Sequence, residues 1–239
     1  MNRRQFVGWI ALTVVIITIP LTLAEEIDDA FTPPEGLSEG WYARIETRMG
    51  RIIVRLLPEQ APQSVAHFAA MAEGRLEWFD RVAGESKKGP YYDGNKVHKA
   101  VAGHMFEAGG PQGTDQGSPE LFVPLENKGP VTFNGPGRLG MGKQFGLISG
   151  VQFFVTAAAL PQLVAYYPCI GIVVSGQDVV MRITQVKTHR NGQPIEPPVI
   201  ERIRIFAVGG PAPLPEPVPY RPKRKEVEVY RGPGESHLP

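Results

Sequence analysis

The chain has 239 residues, enough for one domain with a sizeable core. Its 25 Lys+Arg balance 24 Asp+Glu, and a net charge of +1 gives no basis for a nucleic-acid partner held by a basic field. The single cysteine, Cys169, excludes an internal disulfide, and its apolar run Tyr167-Pro168-Cys169-Ile170-Gly171-Ile172 predicts a buried, inert thiol.

Asn2-Arg3-Arg4-Gln5-Phe6 is basic, Val7 to Ala24 is almost continuously apolar, and Thr22-Leu23-Ala24 places small residues ahead of Glu25-Glu26. This is the pattern of an export signal over residues 1–24, and it predicts a periplasmic or extracellular protein. A run of about 20 apolar residues also suffices to cross a bilayer, so a retained anchor facing the periplasm is the alternative. Arg3-Arg4-Gln5-Phe6-Val7 also resembles a twin-arginine signal.

Residues 25–40 have little periodicity and read as a linker. From Trp41 the residues alternate to Met49-Gly50, and Ile52-Ile53-Val54-Arg55-Leu56-Leu57 follows, which predicts a hairpin turning near Met49-Gly50. Glu59-Gln60-Ala61-Pro62 opens a helix whose apolar face is Val65, Phe68, Ala69 and Ala72, with Gly74 as its stop and His67 on its surface. Trp78 to Pro90 reads as irregular. Strands are expected over Asn95–Val101, His104–Glu107, Leu139–Met141 and Val151–Val155, with a glycine-rich loop from Ala108 to Pro119 and a short extended piece at Phe122–Leu125. A second short helix is expected within Thr156–Tyr167, with Leu160 and Leu163 on one face. Ile170–Val174, Asp178–Val186 and Val199–Ala207 are then read as the last strands. Strands at this spacing predict a mainly all-β domain over residues 41–209, built as a closed antiparallel barrel without free edges, which suits a secreted monomer. Residues 210–239 carry Pro211, Pro213, Pro215, Pro217, Pro219 and Pro222 with the basic knot Arg221, Lys223, Arg224 and Lys225. They read as a disordered, solvated tail, or as a docking tail for a membrane surface or an acidic partner.

One segment carries most of the chemistry. Val97-His98-Lys99-Ala100-Val101-Ala102-Gly103-His104-Met105-Phe106-Glu107-Ala108-Gly109-Gly110 sets a cation and apolar side chains before a glycine-rich turn, and Gln152-Phe153-Phe154-Val155 adds an aromatic strand. A cation beside an apolar, aromatic-floored pocket suits the grip of proline in a peptide. In order along the chain, Arg44 to Ile52, Pro58 to Phe68, Tyr91-Tyr92-Asp93-Gly94, Val97 to Met105, Gly137-Arg138-Leu139-Gly140-Met141 and Gln152 to Thr156 resemble the cyclophilin-type peptidyl-prolyl cis-trans isomerases. Gly171 and Gly176 bracket the next strand in the same pattern. The resemblance spans Trp41 to Ala207 and implies a closed eight-stranded antiparallel β-barrel capped by two α-helices.

It also implies a site. The family's catalytic arginine falls on Lys99, its floor glutamine on Gln152, and its proline pocket on Met105, Phe154 and Leu163. Four positions depart from the pattern. His104 stands for the pocket aromatic, Glu107 or Ala108 for the glutamine before the paired glycines, Lys143 for the groove asparagine and Tyr167 for the histidine after the pocket. In this reading Lys99 and Gln152 are catalytic, and His104, Met105, Glu107, Lys143, Phe154, Leu163 and Tyr167 bind substrate. Glu107 could instead pair with Lys99 and partly neutralise it, Tyr167 could pack at a helix end, and Lys99 and Lys143 could be solvated lysines. No cofactor or metal is expected. His98 and His104 lack a third ligand, and the glycines from Gly109 to Gly117 lack the ending of a phosphate loop. The expected partners are proline-containing peptides or unfolded proteins, with no nucleic acid, membrane association through the N-terminus as an open alternative, and a monomeric state. The expected function is isomerisation of X–Pro bonds in exported proteins at reduced activity. The alternative is a cyclophilin-fold peptide-binding module or holdase with little turnover.

Overall fold

The computed structural model describes residues 31–80, 83–110, 114 and 121–220. The expected signal or anchor at residues 1–24 and the basic knot beyond Tyr220 lie outside the described residues. Among those residues, no helix is long and apolar enough to cross a membrane.

Alternation from Gly40 onward lays down β1 (Gly40–Thr47) and β2 (Gly50–Leu56), paired from Tyr42↔Arg55 to Thr47↔Gly50 around the turn at Arg48-Met49. The Thr47 hydroxyl ties that turn, donating to the Gly50 carbonyl at 2.7 Å and accepting the Met49 N–H at 3.1 Å. Helix α1 (Pro62–Ala72) follows, with Pro62 at its first position, where a missing N–H costs little. Ala61 offers no side-chain cap, so the cap comes from a distance: the Glu126 carboxylate accepts the N–H groups of Gln63 (3.0 Å) and Ser64 (2.8 Å). A carboxylate there satisfies orphan donors and complements the helix dipole.

Trp78 to Pro90 is not irregular as expected. It contains a separate hairpin, β3 (Glu77–Asp80) with β4 (Glu85–Lys88), held by an ion pair between Lys87 Nζ and Asp80 Oδ2 at 2.7 Å. The main sheet continues with β5 (Lys99–Val101), β6 (Met105–Ala108), β7 (Arg138–Gln144), β8 (Leu147–Thr156), β9 (Cys169–Ser175) and β10 (Ile200–Val208). Its order is β10-β1-β2-β9-β7-β8-β6-β5, antiparallel throughout.

The closed barrel expected from the sequence is not what forms. The eight strands make an open half-barrel whose ends, β10 and β5, share no ladder; the segments leading into them meet through an isolated bridge, Lys96↔Val199, and a few backbone hydrogen bonds around it. Two causes are local. β5 is only three residues long, and Pro197-Pro198 precede β10 with no N–H to donate, so the seam stops at contacts such as Val97 N–H to the Pro198 carbonyl (2.9 Å).

The second helix also lies elsewhere. Asp178–Val186, expected as a strand, holds helix α2 (Gln177–Thr184), whereas Thr156–Tyr167 contains only a 3-10 turn at Pro161–Leu163. Gly176, at φ +88°, ends β9 by turning the chain left-handed, and Val179, Val180 and Ile183 then bury one helical face. The inward residues of the strands, among them Ile45, Val54, Phe106, Leu139, Phe153 and Ile203, pack into one apolar core. α1 lies over it, with Phe68 meeting Phe153 edge-on at 5.5 Å.

His67 is not on the surface; it is 3% exposed. The first part of the supposed tail covers it. Pro211–Tyr220 runs as extended chain across α1, and His67 Nε2 lies 3.2 Å from the Val218 carbonyl. Burial depresses the His67 pKa below 6.5, outweighing the Val218 bond and the nearby Glu126 charge, which favour protonation. A depressed pKa means that the unfolded chain takes up the proton first. Stability is therefore full above pH 6.5 and is lost as pH falls from 6.5 through the folded value. Urea denaturation across that range is expected to show a smaller acid loss for His67→Gln than for wild type; parallel curves would contradict this account of His67.

Candidate active site

The register of four ladders sets the site. Lys99 lies opposite Glu107, Glu107 opposite Phe154, Phe154 opposite Gly140, and Gly140 opposite Cys169. Directly opposed residues of antiparallel strands share a face, so this is one row across the sheet. The face is the outer one. Along β8, Val151, Phe153 and Val155 enter the core, while Phe154 enters a second cluster with Phe133 and Cys169. Met105, Leu163 and Tyr167 pack against that cluster. The structure thus gathers the three expected pocket residues, Met105, Phe154 and Leu163, together with Tyr167, expected to bind substrate beside them.

Phe154 is 1% exposed. Its ring stacks on Phe133 at 5.3 Å and 29° and receives the edge of Tyr167 at 5.3 Å and 84°. Gly140 makes room for this; a Cβ there would stand 2.5 Å from Phe154 Cζ and 2.8 Å from Phe133 Cζ. The hollow expected over Phe154 is therefore occupied by the chain's own rings, and the adjoining cavity, lined in part by Phe133, Val164 and Tyr167, is about 10 Å3.

Phe133 and its loop were not legible as site residues. Gln60 holds the loop. Its Nε2 donates to the carbonyls of Val131 (2.9 Å) and Cys169 (2.7 Å), and its Oε1 accepts the Val131 N–H (3.1 Å). This amide ties the segment ahead of α1 to the loop carrying Phe133 and to β9. The backbone of Gly129 passes so close to Gln60 that any side chain there would collide with it.

The charged groups sit at the other end of the row. Lys99 Nζ is 3.6 Å from Glu107 Oε1, and Glu107 Oε2 is 3.6 Å from His98 Nε2. The lysine side chain is 44% exposed, whereas His98 is buried. Burial pushes the Glu107 carboxyl up, but His98 and the Lys99 charge together outweigh it and hold the carboxyl below 4.5. At neutral pH Glu107 is thus an anion tethering Lys99 over β6, next to the aromatic cluster.

The remaining predicted residues fall around this row. Gln152 is buried two residues before Phe154 on β8, and its Cβ lies 3.2 Å from where a Gly142 Cβ would stand. Lys143 places its ammonium 5.5 Å from the ring centre of Tyr166 and 5.1 Å from that of Tyr167, a cation–π contact joining it to the cluster. His104 is exposed in the β5–β6 turn, where its ring Nδ1 lies 2.9 Å from the Ala102 carbonyl while its own carbonyl accepts the Ala157 N–H at 2.6 Å. Burial pushes the Cys169 thiol up to about 11, which leaves it inert, as its apolar run predicted.

The comparisons with known proteins agree with this geometry. The family profile "Cyclophilin type peptidyl-prolyl cis-trans isomerase/CLD" matches residues 42–205. A Mycobacterium tuberculosis protein named peptidyl-prolyl cis-trans isomerase A is 33% identical over 165 residues, 68% of this chain and 91% of that protein. Peptidyl-prolyl cis-trans isomerase B of Streptomyces anulatus is 32% identical over 172 residues, 71% of this chain and 98% of that protein. Among solved structures, a Cryptosporidium parvum cyclophilin type peptidyl-prolyl cis-trans isomerase, crystallised in the presence of the dipeptide ala-pro, is similar with a TM-score of 0.57 and 25% identity. The match covers 69% of this chain and 98% of that one. A half-barrel with an aromatic cluster beside a tethered cation, matched over most of its length, defines the class: this chain belongs to the cyclophilin-type peptidyl-prolyl cis-trans isomerase family.

Replacing Gln60 with alanine leaves three backbone groups without their partner. Gln60→Ala is expected to cost about 1–3 kcal/mol in urea denaturation and to weaken the near-ultraviolet circular dichroism of the Phe133–Phe154–Tyr167 group. A variant with wild-type stability and an unchanged aromatic spectrum would contradict the role given to this amide.

Proposed function

We propose that this chain isomerises X–Pro bonds in proline-containing peptides and unfolded proteins, with slow turnover. The N-terminal sequence pattern supports exported proteins as the clients. The observation that carries the reading is the row itself, with Lys99 and the Phe154 cluster on one face of the sheet, separated by a single strand. Strands lie about 4.8 Å apart, so roughly 10 Å separates the Lys99 and Phe154 backbones, a span that a lysine side chain and a bound peptide can bridge.

The chemistry needs no covalent intermediate. The amide resists rotation by about 18–20 kcal/mol because of resonance. In the twisted state the proline nitrogen regains lone-pair character, and a donor aimed at it favours that state over the planar ground states. Lys99 supplies the donor, Gln152 steadies the peptide backbone, and Met105, Phe154 and Leu163 hold the ring. Tyr167 and Lys143 meet the flanking carbonyls. A proline ring reaches Phe154 by displacing the Tyr167 edge or the Leu163 side chain. Two features support slow turnover. Lysine is a flexible point charge where arginine offers a planar fork, and Glu107 offsets part of its charge.

The covered face of Phe154 favours a second reading, a peptide-binding module or holdase that grips extended chain without speeding rotation. Exchange kinetics on a proline peptide separate the two. Lys99→Ala is expected to lower kcat/KM about tenfold. This is less than the ~10²–10³-fold cost of removing an enclosed oxyanion donor, because the ammonium is 44% exposed. Lys99→Arg is expected to raise kcat/KM. Equal rates for wild type and Lys99→Ala would remove the catalytic assignment, and saturable binding without accelerated exchange would establish the module.

A further inference from the structure

The isomerase site does not account for Pro211–Tyr220. Alternating prolines keep this segment extended and remove half of its N–H donors, so it cannot join a sheet, and its carbonyls need partners from elsewhere. The body supplies them. The Trp41 indole N–H donates to the Ala212 carbonyl at 2.8 Å, and Gln63 makes a pair of bonds, accepting the Val218 N–H at 2.8 Å and donating to the Glu216 carbonyl at 3.5 Å. His67 reaches the Val218 carbonyl, and Leu214 packs against the main core. A side-chain amide that reads both N–H and C=O of an extended chain, next to an indole that reads a third group, is a means of recognising extended chain rather than a chance surface contact.

The place where this segment leads is informative. Tyr220 forms one wall of a cavity of about 150 Å3 whose other walls include Val123, Leu125, Lys143, Leu147 and Tyr166. Lys143 is the residue proposed to meet a flanking carbonyl, and its ammonium touches Tyr167, whose edge lies on Phe154. Tyr220 therefore stands at the outer end of the candidate peptide groove, brought there by residues that have no part in the chemistry.

We propose that Pro211–Tyr220 is a strap bound to its own domain as a resident ligand, and that Tyr220 competes in cis with long clients for the space beside Lys143. The proposal rests on the peptide-site reading above and adds to it a selection by client length. A short proline peptide, once it displaces the Tyr167 edge or the Leu163 side chain, engages Phe154 without reaching Tyr220; a long one must displace Tyr220 as well. A tethered ligand competes at a high effective concentration, so weak contacts suffice. The strap contacts are also few and partly exposed, so a long client can exchange with it.

The test compares a four-residue and a twelve-residue proline-centred peptide, titrated against the full chain, Gln63→Ala and Tyr220→Ala. Gln63→Ala releases the middle of the strap, and Tyr220→Ala removes its end. Each is expected to tighten binding of the long peptide about fivefold while changing the short one by less than about twofold. Fivefold corresponds to a groove left open about one fifth of the time in the full chain. Hydrogen exchange supplies a second readout: the Val218 amide is expected to be protected in wild type and to lose protection in Gln63→Ala. Equal effects on both peptides, no effect on either, or an unprotected Val218 amide in wild type would overturn the proposal. If the peptides separate by length but no variant accelerates exchange, the strap stands and the isomerase reading falls.

Discussion

The register between β6 and β8 is the constraint on which everything else rests. Pairing Glu107 with Phe154 sends Phe106 and Phe153 into the core and turns Glu107 and Phe154 outward. A slip of one residue would exchange the two sets and bury a carboxylate in the barrel, so core and site are specified together. Phe153 fixes the register from inside through its edge contacts with Phe68 and Tyr92 at 5.5 Å and 5.4 Å. Gly140 fixes it from outside, since only a residue without a side chain leaves space for the paired rings of Phe133 and Phe154.

From this register the site divides into two ends with different physics. The apolar end is rigid and already packed, and its geometry depends on a side-chain amide, Gln60, that stitches two loops together. The polar end is held by charges that water partly screens. Glu107 stays ionised because His98 and Lys99 outweigh its burial, and its attraction to an exposed lysine is modest. The proposed binding of a proline ring therefore calls for rearrangement at the packed end, where Phe154 is covered, whereas Lys99 is already exposed. That asymmetry is the physical basis for expecting slow turnover from a scaffold of this family.

Much of this was legible in the sequence, for reasons that differ by element. The β1–β2 hairpin is read from alternation up to Met49-Gly50 followed by the apolar run from Ile52 to Leu57, and the ordered segments from Arg44 to Thr156 carry the family resemblance in register. Met105, Phe154, Leu163 and Tyr167 were associated through the family pattern, and the structure packs them into one cluster. What failed was long-range or ambiguous. Val179-Val180-Met181 reads as a strand when taken alone, and only the burial of Ile183 one turn later reveals the helix. Barrel closure depends on a seam where Pro197-Pro198 withhold donors, and this outweighed the strand count. His67 looked exposed because nothing local shows that residues more than a hundred positions later return to cover it. Phe133, Gln60 and Glu126 lie outside any periodic pattern, and their roles arise only from the fold.

The central claim is that a proline ring is recognised at the row joining Lys99, Glu107 and Phe154. The most direct measurement labels the Met105 methyl group and follows its NMR signal during titration with an alanine–proline peptide and with its alanine–alanine counterpart. The account predicts a saturable shift with the first and little response to the second, because the cluster around Phe154 selects the ring rather than the backbone. A Met105 signal that ignores both peptides, or answers both alike, would contradict it.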